Sequence, residues 1–341
     1  MESLHLSFAR TIEAGLFKGL NINNSVNVSH LFYADDAVFV GEWSDSNLSC
    51  IMNVLHCFSL TSGLKINIQK SHLLGVGVSH STMVAASDSL GCSIMKLPFI
   101  YLGVPVGGNM ASIKAWDVII GKLKSRLSKW KINTLSIGGR FTLLKSVLGA
   151  SPIYWMSIYK VPKAVLASME SLRRKFFFGI LDKEKKISWI KWSKILSAKK
   201  HGGLGVSSYF GLNRALLFKW VWRFISQDGS LWARVISAIH GSNIQEHRLY
   251  PSSVWNSISR EVRVLKNLGV DLISYCVMRM FSEGLSNSLR RPVRGGVESH
   301  QLSLLNEMVS SISLSNSEDR WVWNLNGSGL FRVCDIRKSV G

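Results

Sequence analysis

Two adjacent carboxylates, Asp35 and Asp36, follow Phe32-Tyr33-Ala34 and precede the apolar run Ala37-Val38-Phe39-Val40. Flanked by aromatic and β-branched residues, they are expected on a tight turn between two strands. Like charges set side by side repel, so the pair is unfavourable unless cations neutralise it. Carboxylate oxygens on a rigid turn suit Mg²⁺, which takes one or two carboxylates and substrate phosphates. Two such ions roughly 3.5–4 Å apart can activate an attacking hydroxyl and stabilise a leaving pyrophosphate. The competing reading is a solvated turn, where Asp-Asp is common.

No other constellation in the chain points as directly to chemistry. The five cysteines (Cys50, Cys57, Cys92, Cys276, Cys334) are widely spaced with no CxxC pair, which argues against a disulfide framework or a complete zinc site. Nine dispersed histidines form no nucleophilic arrangement with a Ser or Cys. Gly202-Gly203-Leu204-Gly205 lacks the trailing Gly-Lys-Ser/Thr of a phosphate loop and reads as a turn.

The elements that must position the acidic pair are legible around it. Leu4, Phe8 and Ile12 share one face of a helix over residues 1–14. Residues 16–22 and 26–33 form a hairpin about Asn23-Asn24-Ser25, and a strand over 37–40 follows the carboxylates. Ser44 or Asp45 caps a helix carrying Leu48, Ile51, Met52, Leu55 and Phe58, with Gly63 as its exit. Lys65 to Val76 alternates as strands do, residues 80–90 read as a short helix, and Tyr101 to Pro105 as a short strand ending in a turn. From about residue 112 basic amphipathic helices take over, over 112–130, 139–149, 162–178 and 209–226. Residues 282–318, rich in Ser, Asn and Gly, read as linker.

Charge names the class of partner. Across 341 residues the formal net charge is +20, and 47% of residues are hydrophobic, enough for a sizeable core. Between Lys114 and Lys200 twenty Lys or Arg face four acids (Asp117, Glu170, Asp182, Glu184), so this stretch holds most of the excess. A polyanion bound there would release condensed counterions, which favours nucleic acid over a merely solvated basic face. Arg173-Arg174-Lys175 adjoin Phe176-Phe177-Phe178, which reads as core rather than a base-stacking platform. No secretory signal and no run of about 20 apolar residues is visible. The expectation is an intracellular protein of nucleus or cytoplasm, neither secreted nor membrane-bound.

Several segments share a pattern. Ser29-His30-Leu31-Phe32-Tyr33-Ala34-Asp35-Asp36 is followed by Gly41-Glu42-Trp43, Ser62-Gly63-Leu64-Lys65-Ile66-Asn67, Lys70-Ser71 and Tyr101-Leu102-Gly103-Val104-Pro105. Then come Gly138-Gly139-Arg140-Phe141-Thr142-Leu143-Leu144-Lys145, Ser151-Pro152-Ile153-Tyr154-Trp155 and Lys200-His201-Gly202-Gly203-Leu204-Gly205. In this order and spacing, over roughly residues 5–240, the chain resembles reverse transcriptases of plant LINE-type (non-LTR) retrotransposons.

The resemblance implies an α+β fold, with part of a polymerase palm (antiparallel strands plus helices) followed by a mostly helical basic thumb and connection region. The implied divisions are 1–110 for palm, 111–281 for thumb and connection, 282–318 for linker, and 319–341 for the opening of a zinc-binding domain. Asp35 and Asp36 would hold Mg²⁺ and carry RNA-directed DNA polymerase chemistry. Tyr33, Lys65, Lys70, Tyr101, Leu102 and Gly103 would contact primer or nucleotide, with Lys65, Asn67 and Lys70 in strands beside the acidic turn. Lys122, Lys124, Arg126, Arg140, Lys145, Arg173 and Arg174 would grip the backbone of an RNA template and DNA primer. Beyond dNTP and metal no small-molecule cofactor is expected. The family's third carboxylate comes from an earlier FxKAFDxV-like segment, and only Glu2 and Glu13 precede Asp35. The chain is therefore expected not to polymerise alone. The alternative is a non-catalytic nucleic-acid-binding remnant or a translated pseudogene product.

Overall fold

The periodic apolar residues at the start of the chain set the first core. The Glu2–Glu13 helix buries Leu4 and Phe8 completely. They meet Phe17, Val54 and Phe58, with Phe32, Phe39, Ile51 and Leu55 packed against the cluster. The computed structural model describes residues 2–129, 135–180, 190–226, 229–244, 253–279, 293, 295–310 and 320–340. Among these it is an α+β protein with thirteen α-helices and five two-stranded sheets, four antiparallel and one parallel. No helix among them is long and apolar enough to cross a membrane.

The chain divides into two units, Met1–Met110 with Gly229–Arg248, and Ala111–Asp228 with Leu249–Gly341. In the first, Leu20–Ile22 and Val26–Val28 form a hairpin whose turn residues Asn23 and Asn24 both have positive φ (49° and 55°). Asparagine tolerates that conformation, which matches the twist of the flanking strands. The Asp45–Ser62 helix starts at Ser44, whose side chain accepts from the Asn47 N–H, and ends at the left-handed Gly63. The parallel pair His72–Leu73 and Ser93–Ile94 is joined through the His80–Leu90 helix.

One sequence expectation fails in this unit. The strands read over Lys65–Val76 shrink to His72–Leu73, because Asn67 accepts the Lys70 N–H and folds Ile68–Lys70 into a 3₁₀ turn. A side chain that offers the backbone a local partner diverts it from a ladder. The Leu231–His240 helix, whose sequence lies among the basic helices, belongs to the first unit, where Asn23 Nδ2 donates to the Ala238 carbonyl.

The second unit is built round the Tyr209–Ser226 helix, buried on nearly every side. Ile153–Met156, Lys163–Phe178, Val254–Asn267, Arg320–Trp323 and Val333–Val340 pack on it. A helix buried all round must satisfy any polar side chain internally. Asn213 does so by donating to the Met156 and Tyr159 carbonyls (2.7 and 3.0 Å) and accepting from the Val161 N–H (3.1 Å). Arg214 donates through Nε to Glu261 at 2.6 Å, and Lys160 reaches the same carboxylate at 2.5 Å.

The C-terminal stretch expected to open a further domain packs within this second unit. Arg320–Trp323 pairs with Cys276–Arg279, Trp323 is fully buried against Phe218, Trp222, Tyr275 and Phe331, and Ile336 is fully buried too. Within the expected linker, Val297–Ser310 is helical, its Glu, Gln, Leu and Met outweighing the serines. The rest of that stretch, 282–292, 294 and 311–318, lies outside the described residues.

Burial pushes the Glu261 carboxyl up, but Lys160 and Arg214 outweigh it and hold it below its ordinary value. Its contribution to stability is therefore present above the ordinary carboxylate range and lost as pH falls through the lowered value. Glu261→Gln is expected to cost roughly 3–5 kcal/mol by leaving Arg214 buried without a counter-charge. Denaturant unfolding at neutral pH measures that cost, and the gap from the parent should narrow as pH drops below about 4.5.

Candidate functional site

The acidic pair sits where two strands reverse. His30–Tyr33 and Asp36–Phe39 pair antiparallel with His30 opposite Phe39, Phe32 opposite Ala37, and Tyr33 opposite Asp36. Ala34 and Asp35 make the two-residue turn, and Asp36 opens the return strand. Ala34 has φ 53°, a left-handed conformation at a residue with a Cβ. That costs of order 1 kcal/mol or more and persists only where the surroundings impose it.

The surroundings that impose it are aromatic on one face and polar at the base. His30, Phe32, Ala37 and Phe39 turn inward, and Phe39 lies 4.8 Å from Phe8 between ring centres. Leu31, Tyr33 and Asp36 turn outward and are exposed, as is Asp35 at the tip. At the base, the Val40 N–H donates to the Ser29 carbonyl at 2.8 Å. Buried Asn47 then ties the outgoing chain at Glu42 to Lys18, which precedes the Leu20–Ile22 strand. Its amide donates to the Glu42 and Lys18 carbonyls (2.8 and 2.9 Å), and its oxygen accepts from the Lys18 N–H (2.9 Å). Gly41 is required there, since a Cβ would meet the Lys18 carbonyl and the Phe17 ring.

A second tight turn carries a residue within electrostatic reach of Asp36. Phe99–Tyr101 and Val104–Val106 form a hairpin whose turn residues, Leu102 and Gly103, have φ 48° and 80°. The Tyr101 hydroxyl is pushed above its ordinary pKa by burial first and then by the charge of Asp36 and by Tyr33. Residues 65 positions apart in the chain, Asp36 and Tyr101, thus lie within electrostatic reach. Lys65 and Lys70 are exposed on an irregular segment and its 3₁₀ turn, and among the described residues neither forms an ion pair with Asp35 or Asp36.

The basic residues of the second unit separate into two kinds. Lys122, Lys124, Arg126, Lys145 and Arg174 are exposed. Arg126 also donates to Ser151 Oγ, and Lys145 lies 5.0 Å from the Phe141 ring centre. Arg173, expected among the backbone-gripping residues, is only 2% exposed. It pairs with Glu170 (3.1 Å), donates to the Ser207 carbonyl (2.9 Å) and stacks on Tyr209 at 4.3 Å, so its charge is spent inside the unit. Arg140 is half-buried against Gly179, where any side chain would collide with its guanidinium. Phe176 and Phe177 are buried, as the core reading required.

No family model matches the chain. It is 38% identical over 163 residues to a protein of Arabidopsis thaliana named as a ribonuclease H protein, covering 47% of this chain and 26% of that one. It is 29% identical over 141 residues to an uncharacterized mitochondrial protein of Arabidopsis thaliana, covering 40% of this chain and 86% of that one. The chain thus spans about a quarter of the first relative's length.

The strained turn can be probed directly. Ala34→Val is expected to destabilise the first unit by about 1–2 kcal/mol, because a β-branched side chain fits a left-handed backbone worse than alanine. Ala34→Gly should be neutral or stabilising by up to about 1 kcal/mol, since glycine adopts positive φ without the Cβ penalty. Denaturant midpoints check this, with Ala34→Val below the parent and Ala34→Gly at or above it.

Proposed function

We propose that this chain is a segment of a retrotransposon-derived reverse transcriptase that engages an RNA template and a DNA primer, with Asp35 and Asp36 as ligands of Mg²⁺. The observation that carries the reading is the exposed Asp35–Asp36 pair at the tip of an antiparallel hairpin, with Tyr101 within electrostatic reach of Asp36. Exposed carboxylates on a hairpin held from behind by aromatic packing suit an ion that keeps several waters and takes further oxygens from phosphates. The relative named as a ribonuclease H protein supports nucleic acid as the partner class.

The donor set fits one Mg²⁺ held by two carboxylates. Among the described residues no group of three His, Cys, Asp or Glu side chains is placed to hold a metal ion. In this reading the exposed Lys122, Lys124, Arg126, Lys145 and Arg174 neutralise backbone phosphates, which fixes register and carries no sequence preference.

The purified chain is expected to bind an RNA–DNA template–primer with an affinity that falls steeply with salt, and to extend the primer with Mg²⁺ no further than an Asp35→Asn/Asp36→Asn control. Extension by the parent alone would make it a polymerase. Absence of binding would remove nucleic acid as the partner, and binding insensitive to salt would remove phosphate neutralisation by the basic residues. Arg174→Ala should weaken binding and lower the salt slope by about one. Arg173→Ala should instead lower the unfolding midpoint, because it leaves the Glu170 carboxylate without its counter-charge.

A further inference from the structure

One side-chain pair in the first unit takes no part in the acidic site. His5, on the Glu2–Glu13 helix, and His30, at the start of the strand that leads to Asp35, face each other with Nδ1 of His5 2.7 Å from Nε2 of His30. The rings are 4.9 Å apart between centres and tilted by 52°. His30 is held on three sides. Ser29 Oγ lies 2.9 Å from its Nδ1, and the Phe8 and Phe32 rings pack at 5.1 and 4.9 Å. His5 is exposed and free to adjust.

Two ring nitrogens this close cannot both carry a proton, so one N–H is shared and at least one lone pair points into the gap. In the tautomer in which the His30 Nδ1–H donates to Ser29, that lone pair is on Nε2, aimed at His5. A hydrogen bond to the remote nitrogen is how a metal-binding imidazole is fixed in its ligating tautomer. Burial, and secondarily His5, hold the His30 pKa below its ordinary value, so the ring is neutral and able to ligate at physiological pH.

We propose that His5 and His30 form a binding site for a borderline transition-metal ion such as Ni²⁺, Cu²⁺ or Zn²⁺, which clips the Glu2–Glu13 helix to the His30–Tyr33 strand. Metal–nitrogen bonds of about 2.0–2.1 Å set tetrahedral nitrogens roughly 3.3 Å apart. The pair must open by about 0.6 Å, which rotation of the exposed His5 ring supplies. His5 moves its proton from Nδ1 to Nε2, so binding to the neutral pair releases no proton, and water completes the shell. Soft-to-borderline ions prefer imidazole whereas Mg²⁺ prefers carboxylate oxygen. The site is therefore chemically distinct from Asp35 and Asp36.

The test is titration of the full, chelator-washed chain with NiCl₂ and ZnCl₂, read by calorimetry and by the melting temperature, with excess Mg²⁺ present. One ion per chain should bind and raise the melting temperature. Affinity should fall at least tenfold in His5→Gln, which changes only an exposed side chain, and in His30→Gln. It should survive in Asp35→Asn/Asp36→Asn, so a failure of the carboxylate reading is seen separately. Absence of binding by the folded parent overturns the proposal. So does unchanged binding in His5→Gln, which would place the ion on another group such as the exposed Cys57 thiol.

Discussion

A two-stranded hairpin on its own is marginal in water, and every sheet among the described residues has two strands. The acidic turn exists because Phe32 and Phe39 rest on Phe8, Phe17 and Phe58, supplied by a loop and two helices. That apolar anchorage holds Ala34 in a conformation alanine otherwise avoids and leaves Asp35 and Asp36 facing water. Asn47 anchors the chain that leaves the hairpin, at Glu42, to Lys18, so aromatic packing along the strands is joined by amide hydrogen bonds just beyond them.

The second unit solves the opposite problem. Its central helix is buried on nearly every side, and Asn213 and Arg214, themselves buried, must find their partners inside. They cap the carbonyls of a neighbouring segment and neutralise Glu261, which converts two desolvated side chains into positional constraints on three elements. The Glu170–Arg173 pair repeats the device, with Trp192 and the Tyr209 N–H donating to the same carboxylate. Basic residues in this region are thus divided between structure and surface, and only burial separates them.

Local patterns in the sequence carried far. The Ser44 cap, the Gly63 exit, the Asn23-Asn24 turn and the helices at His80–Leu90, Lys163–Phe178 and Tyr209–Ser226 all follow from periodicity and capping chemistry. What stayed hidden depends on contacts distant in the chain. Arg173 and Arg174 are neighbours of identical type, and nothing local says that one turns inward to Glu170 and the other outward. Asn47 reads as an ordinary first-turn residue until Lys18 and Glu42 arrive beside it. His5 and His30 are 25 positions apart and match no spacing rule. The Leu231–His240 helix carries no mark of the unit it joins, and Trp323 looks like the start of something new until Phe218 and Phe331 surround it.

The chain returns to its first unit after building much of its second, because Gly229–Arg248 belongs with Met1–Met110. Synthesis is vectorial, and domains generally fold in the order in which they leave the ribosome. Here the earlier half must wait, since the helix that seats on its Asn23 turn is translated only after the whole of 111–228. The nascent first unit therefore spends the intervening elongation time without one of its walls, open to holdase chaperones and to proteases until Leu231–His240 emerges.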